Sequence, residues 1–165
     1  MNKVSIDKVT LNIGVGEGGQ ALENARNLLE KITSTKAVTT KARNRIPTFK
    51  LRRGDPIGVK TTLRGKIAKE VVQKGLKVIE NKMNSRSFDD YGTCGFGVKE
   101  YIDYPGIKYD PNIGMIGFDV IITLKKPGIR VLRRRIASRK IPKKQRVSKK
   151  EAQEFMKQEF GVELV

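Results

Sequence analysis

Residues 9–32 read VTLNIGVGEGGQALENARNLLEKI, and a strand period, a glycine turn and a helix period follow one another within them. Val9, Leu11, Ile13 and Val15 alternate with Thr10, Asn12, Gly14 and Gly16, the two-residue period of a half-buried strand whose second face is small and polar. Glycines at 16, 18 and 19 permit a tight turn. Ala21, Leu22, Ala25, Leu28, Leu29 and Ile32 then recur at the 3.6-residue spacing of an amphipathic helix.

The same alternation returns further along the chain. Val38, Thr40 and Ala42 alternate with Thr39, Lys41 and Arg43, and Ile57, Val59, Thr61 and Leu63 alternate with Gly58, Lys60, Thr62 and Arg64, so each stretch reads as a strand with one apolar and one polar or basic face. Between them, residues 47–56 hold Lys50, Arg52, Arg53 and Gly54 and read as a basic hairpin tip. Ile67, Val71, Val72, Gly75, Val78 and Ile79 form a second helical stripe, with Gly75 costing ~1 kcal/mol relative to alanine. The signal weakens over residues 84–112, where a short strand at 96–98 is expected. It returns with Ile116, Phe118, Val120, Ile122 and Leu124. Ser148 and Glu151 have the spacing of a capping box ahead of a last helix carrying Ala152, Phe155, Met156 and Phe160.

Assembled, these elements specify an α+β fold, a mostly antiparallel sheet with helices packed on one face and the other face open. The expected division is an α+β core over residues 1–124 and a basic extension with a C-terminal helix over residues 125–165, packed on the same domain.

The charge is segregated. The 165-residue chain has 35 Lys and Arg against 17 Asp and Glu, a formal +18, and 38% hydrophobic residues in periodic positions. Residues 36–66 hold ten basic residues and one acid, and residues 125–150 hold thirteen basic residues and no acid, which leaves −4 for everything else. Segregated cations interleaved with Ile46, Phe49, Leu51, Val131, Leu132, Ile136 and Ile141 point to a nucleic-acid partner. Pro127, Gly128 and Pro142 interrupt any basic amphipathic helix of the kind that lies on membranes. The open face would carry Asn12, Gly14, Thr39, Lys41, Arg43, Lys60, Thr62 and Arg64. Small residues there allow close approach, hydroxyls and amides reach phosphate or 2′-OH groups, and cations neutralise charge. With no stacking aromatics on these strands, RNA shape and backbone are read more than single-strand sequence.

Catalytic chemistry finds little support. With no His and a single Cys, Cys94, the chain builds no zinc finger, Cys/His dyad, Ser-His-Asp triad or internal disulfide. Asp89 with Asp90, and Asp103 with Asp110, lie in stretches near glycine or proline and read as turn residues, so no metal and no cofactor is expected. Residues 14–19 satisfy G-x-G-x-x-G, but no acid follows between Glu30 and Asp55 to hold a ribose. Residues 1–6 lack the apolar core of a secretion signal, and no uncharged apolar run is long enough to span a bilayer, so a soluble cytoplasmic protein is expected.

Four motifs carry a resemblance: NIGVGE at 12–17, LRRGDPIGVKTTLRG at 51–65, YPGIKYD at 104–110 and IGMIGFD at 113–119. In order and spacing, from about residue 4 to residue 160, the chain resembles the large-subunit ribosomal protein five family, and residues 56–58 together with the basic segment 130–146 make it similar to the archaeal branch. Tyr101 stands where archaeal relatives often carry His and Phe118 where Met commonly precedes the Asp, packing-level changes expected to alter local contacts alone. The resemblance implies a non-enzymatic, cytoplasmic ribosomal protein that binds 5S rRNA in the central protuberance. The sheet residues Asn12, Gly14, Gly16, Thr39, Lys41, Arg43, Lys60, Thr62 and Arg64 would face that RNA. It further implies that the tip residues Lys50, Arg52, Arg53 and Gly54 approach the P-site tRNA. The loop Asp103, Tyr104, Pro105, Gly106, Ile107, Lys108, Tyr109 and Asp110 would meet a protein of the small-subunit head at an intersubunit bridge. Arg130, Arg133, Arg134, Arg135, Arg139, Lys143, Lys144 and Arg146 would add contacts to large-subunit rRNA. Competing readings are an RNA-binding regulator outside the ribosome and, from the glycine turn alone, a nucleotide-dependent enzyme. A nucleotide that binds the native state would raise the melting temperature.

Overall fold

The computed structural model describes residues 3–16 and 18–165; Glu17 of the glycine motif, and Met1 and Asn2 of the signal-sequence reading, lie outside the described residues. A five-stranded antiparallel sheet is built from β1 (Ser5–Gly14), β2 (Val38–Lys41), β3 (Pro56–Leu63), β5 (Thr93–Val98) and β6 (Phe118–Lys125), in the order β2-β3-β1-β6-β5. The helices are α1 (Gln20–Thr33), α2 (Gly65–Val78), the single turn α3 (Arg130–Arg133) and α4 (Lys149–Phe160). A separate parallel pair joins β4 (Lys82–Met83) to β7 (Glu163–Leu164). The architecture is the α+β class expected from the alternating patterns.

The chain forms two compact units, with β1, β5 and β6 running on from one into the other. Residues 121–165 group with residues 64–96 and the chain up to Val9, and the remainder, Thr10–Leu63 with Gly97–Val120, forms the other unit.

In the unit of Thr10–Leu63 and Gly97–Val120, Leu11 and Ile13 of β1 are buried while Asn12 is half-buried and Gly14 exposed, as the alternation requires. Helix α1 packs on β3 and buries Ala25, Leu28 and Leu29; full burial of each leucine contributes about 1.5–3 kcal/mol. It starts after Gly19, whose φ of 100° lies in a region only glycine adopts freely, and ends at Ser34, whose N–H donates to the Glu30 carbonyl. The β2 pleat corrects the expected faces. Val38 pairs with Lys60, Thr39 with Val59 and Thr40 with Gly58. Thr39 therefore shares the covered face with the fully buried Val59, and Val38 is turned outward, 58% exposed. The physical reason is that cross-strand partners share a face, and the V-T-T-K pattern of β2 is too weakly apolar to fix its own. The register then shifts so that Lys41 pairs with Pro56, and the carbonyl of the skipped Ile57 accepts from the N–H groups of both Val15 and Gly16.

In the other unit, α2 buries Ala68, Val71, Val72, Gly75 and Leu76, which puts the mid-helix glycine on the packed face. The capping box of α4 is formed: Ser148 Oγ accepts from the Glu151 N–H at 3.4 Å, and a Glu151 carboxylate oxygen accepts from the Ser148 N–H at 2.9 Å. Strand β5 begins three residues before the expected 96–98, because Thr93, Cys94 and Gly95 are small and give no alternating signal although Cys94 is buried.

Candidate nucleic-acid interface

The open face of the Thr10–Leu63 and Gly97–Val120 unit presents Asn12 and Gly14 from β1, Lys60 and Thr62 from β3, and Val38 and Thr40 from β2. Gly14 has no atom within 4 Å of where a Cβ would stand, and its φ is not in the left-handed region. It is bare by position on a strand face. Gly58 is the opposite case: a Cβ there would stand 2.5 Å from the Ile13 carbonyl oxygen, so this glycine allows β1 and β3 to approach. Gly16, at φ 83°, belongs to the turn and ties it to β3. Lys41 is the last residue of β2 and Arg43 lies beyond it, both exposed, whereas Thr39 faces α1's side of the sheet.

The face continues into residues that the sequence pattern did not single out. Asn12, Gly14, Gly97, Lys99, Gly117 and Asp119 line a shallow trough of about 600 Å³. A Cβ on Gly117 would stand 2.6 Å from the Lys99 carbonyl oxygen, so the trough floor depends on a glycine there too. The glycines at 97 and 117 were the available signal.

The β2–β3 connection is a hairpin closed by Gly54 N–H to the Ala42 carbonyl and by the Ile46–Leu51 bridge. A 3-10 turn over Pro47–Phe49 forms its tip, with Lys50 at φ 55° after it. Asp55 accepts from the Arg52 N–H at 2.7 Å and so serves the turn. Lys50, Arg52, Arg53 and Gly54 are exposed beside Phe49, which is 71% exposed.

The loop following β5 is braced from inside its own unit. Tyr101 is buried and its hydroxyl accepts from the Asp110 N–H at 2.9 Å, while the Asp110 carboxylate pairs with Lys31 at 2.7 Å. That Lys31 hydrogen bond is the largest cause holding the Asp110 carboxyl below its ordinary range. Tyr104 is buried edge-on against Phe118, ring centroids 5.7 Å apart, and burial pushes its phenol up to about 12. Tyr104 and Asp110 thus hold the loop, and Asp103, Pro105, Gly106, Lys108 and Tyr109 are the exposed members, with Ile107 half-buried. Tyr101 and Phe118 both pack inside.

The basic segment of the other unit is partly consumed by internal bonds. Arg133 forks onto the Asp7 carboxylate, one limb at 3.0 Å, and Arg64 and Lys125 stand 3.6 Å and 3.4 Å from the same carboxylate. Lys126, 8% exposed, donates to the Arg146 carbonyl at 3.0 Å and to Glu151 at 2.7 Å. Arg146 donates to the Ile141 carbonyl and lies 5.4 Å over the Tyr91 ring, and Arg134 donates to the Ala137 carbonyl. Arg130, Arg135, Arg139, Lys143 and Lys144 are exposed and hold no ion pair among the described residues.

Other sequence candidates resolve structurally. In the sheet β3 lies between β1 and β2, so the strands on either side of the glycine turn and α1 are not neighbours, as the first two strands of a dinucleotide-binding β-α-β unit are. Cys94 is buried with its thiol pushed up to about 12 by desolvation, the reverse of a nucleophile's shift. Asp89 accepts from the Asp90 N–H, a turn bond, and no metal-holding cluster occurs among the described residues. No helix of the described residues is long and apolar enough to cross a membrane.

Comparison with known proteins decides the family. A model of "Ribosomal protein L5" matches residues 1–52, and a second model, of the C-terminus of the same ribosomal family, matches residues 56–161. The chain belongs to the ribosomal protein L5 (uL5) family. Its similarity to other members spans the whole chain: it is 50% identical to the large ribosomal subunit protein uL5 of Sulfurisphaera tokodaii, over 100% of this chain and 94% of that protein. The uL5 protein of Sulfolobus acidocaldarius is 46% identical over 100% of this chain and 93% of its own length. That of Methanococcoides burtonii is 42% identical over 99% and 97%. As a uL5 protein the chain is a structural ribosomal component and not an enzyme.

Proposed function

We propose that this chain binds 5S rRNA in the central protuberance of the large subunit through the open face of the Thr10–Leu63 and Gly97–Val120 unit. Asn12, Gly14, Lys41, Arg43, Lys60 and Thr62 are the contact set, joined by Lys99 and the trough. The observation that carries the reading is Gly14: a bare, unstrained strand position with free space above it, on a face that also carries an amide, a hydroxyl and cations. A ribose-phosphate backbone needs that combination, because it must come within hydrogen-bond reach of the strand while its charge is neutralised. The tip with Lys50, Arg52 and Arg53 is assigned to the P-site tRNA, the exposed loop residues Asp103, Pro105, Gly106, Lys108 and Tyr109 to a protein of the small-subunit head, and the free cations Arg130, Arg135, Arg139, Lys143 and Lys144 to large-subunit rRNA.

The test is titration of 5S rRNA with Asn12→Ala, Lys60→Ala and the triple tip variant Lys50→Ala, Arg52→Ala, Arg53→Ala. The two sheet variants should each weaken binding about tenfold, the size of a lost hydrogen bond to a charged group, while the tip variant binds as the parent. Undiminished binding by both sheet variants would overturn the assignment.

A further inference from the structure

We propose that Asp7 organises a phosphate-docking site, fixing Arg133 in place and presenting Arg64 and Lys125 to a backbone phosphodiester of bound RNA; this rests on the RNA-binding reading above. All four residues belong to the unit containing residues 64–96 and 121–165. The Asp7 side chain is completely enclosed, whereas those of Arg64, Lys125 and Arg133 are 58%, 36% and 44% exposed.

A carboxylate has two oxygens, and the Arg133 fork occupies both. Arg64 and Lys125 stand farther off, 3.6 Å and 3.4 Å from the same carboxylate, and their side chains remain partly open to solvent. Three cations against one acid leave the cluster at +2. Fold stability asks for no such surplus, since one well-bonded partner satisfies a buried carboxylate and each added cation repels the others.

The chain places a further positive pole at the same residue. Arg64 is the N-cap position of α2, a helix start with no side-chain cap and no acid in its first turn, where Lys66 follows. Helix N-termini favour anions, so a cation there is placed against the helix's own preference and toward an external anion. A phosphodiester supplies one negative charge and acceptors that bridge two donors. The Arg133 bond, the largest cause, holds the Asp7 carboxyl below its ordinary range, so the acid that anchors the cluster stays ionised at neutral pH.

Asp7 is a positioning residue in this scheme, and that makes the test sharp. Simple electrostatics holds that Asp7→Asn raises the formal net charge of +18 by one and tightens binding to RNA. The docking site requires the opposite, because Arg133, Arg64 and Lys125 lose their common anchor. The experiment is titration of the full chain with 5S rRNA at several salt concentrations, with a thermal melt of each variant. Lys125→Met and Arg64→Met should each keep the parent's melt, bind about tenfold more weakly, and reduce the salt slope by about one. Asp7→Asn, where its melt shows it folded, should bind more weakly despite its extra charge. The proposal is overturned if Lys125→Met and Arg64→Met retain the parent's slope, or if folded Asp7→Asn binds more tightly. Should Asp7→Asn fail to fold, the two methionine variants decide. Failure of the parent chain to bind 5S rRNA would instead bring down the RNA assignment itself.

Discussion

Replacing Gly14 by valine separates binding from folding. The position is extended, exposed and without an atom within 4 Å of its Cβ site, so valine meets no steric obstacle and no left-handed backbone. Strand preference spans about 1 kcal/mol and favours valine over glycine, so stability should hold or rise, a shift of about 0 to +4 °C in melting temperature for a chain of this size. On the RNA side, a branched side chain fills the space that the backbone must enter and holds it beyond the roughly 3.5 Å limit of a hydrogen bond. Losing two or three bonds at about 1 kcal/mol each weakens 5S rRNA binding roughly 30- to 150-fold. Melting and titration of the same preparation read both quantities. The control is Gly58→Val, whose Cβ would lie 2.5 Å from the Ile13 carbonyl and which should lower the melt. A collapsed melt for Gly14→Val would refute the open-face argument, and undiminished binding would remove Gly14 from the interface.

Binding of the parent chain should also depend strongly on salt, with log K falling against log[salt] at a slope of about −4 to −9 for roughly 6–10 phosphate contacts; a flat titration would exclude phosphate docking. Alanine at Lys50, Arg52 and Arg53 should leave the melt unchanged and show its deficit in tRNA binding by ribosomes reconstituted with the variant, and normal tRNA binding there would exclude the tip's role. The Asp7 carboxyl titrates below its ordinary range when folded, so its bond to Arg133 stabilises the fold above about pH 4, the ordinary aspartate value, and is lost as pH falls through the depressed value. Acid melts of Asp7→Asn should therefore fall less steeply below pH 4 than those of the parent, and parallel curves would show that Asp7 contributes nothing to the acid limb.

What could be read in advance depended on how far apart the cooperating residues lie. The β1 alternation, the glycine turn and the α1 stripe are local and appear where expected, as does the Ser148 capping box. The faces of β2 were not legible because two adjacent threonines fit either side, and only pairing with Val59 and Lys60 decides between them. The two-residue strands β4 and β7 are too short to carry a period. In the site, Asn12, Gly14, Lys60 and Thr62 followed from alternation alone. Lys99 and Asp119 did not, since they join the trough only when distant strands come together. Tyr104 and Asp110 sit in a motif that reads as a surface loop, yet one is buried against Phe118 and the other is spent on Lys31. The Asp7 cluster was the least visible, because its fork spans 126 residues of sequence and an isolated acid on an apolar strand face gives no hint of three cations.

The central claim is selective recognition of one RNA, and its most direct measurement is the ratio of dissociation constants for 5S rRNA and for an unrelated folded RNA of equal length at physiological salt. A face shaped for one RNA backbone predicts a preference of at least about 10³ for 5S rRNA, the lower edge of specific over non-specific nucleic-acid binding, and loss of most of that preference in Gly14→Val. Equal affinities for the two RNAs would contradict the account, leaving the +18 charge as a non-specific attractor.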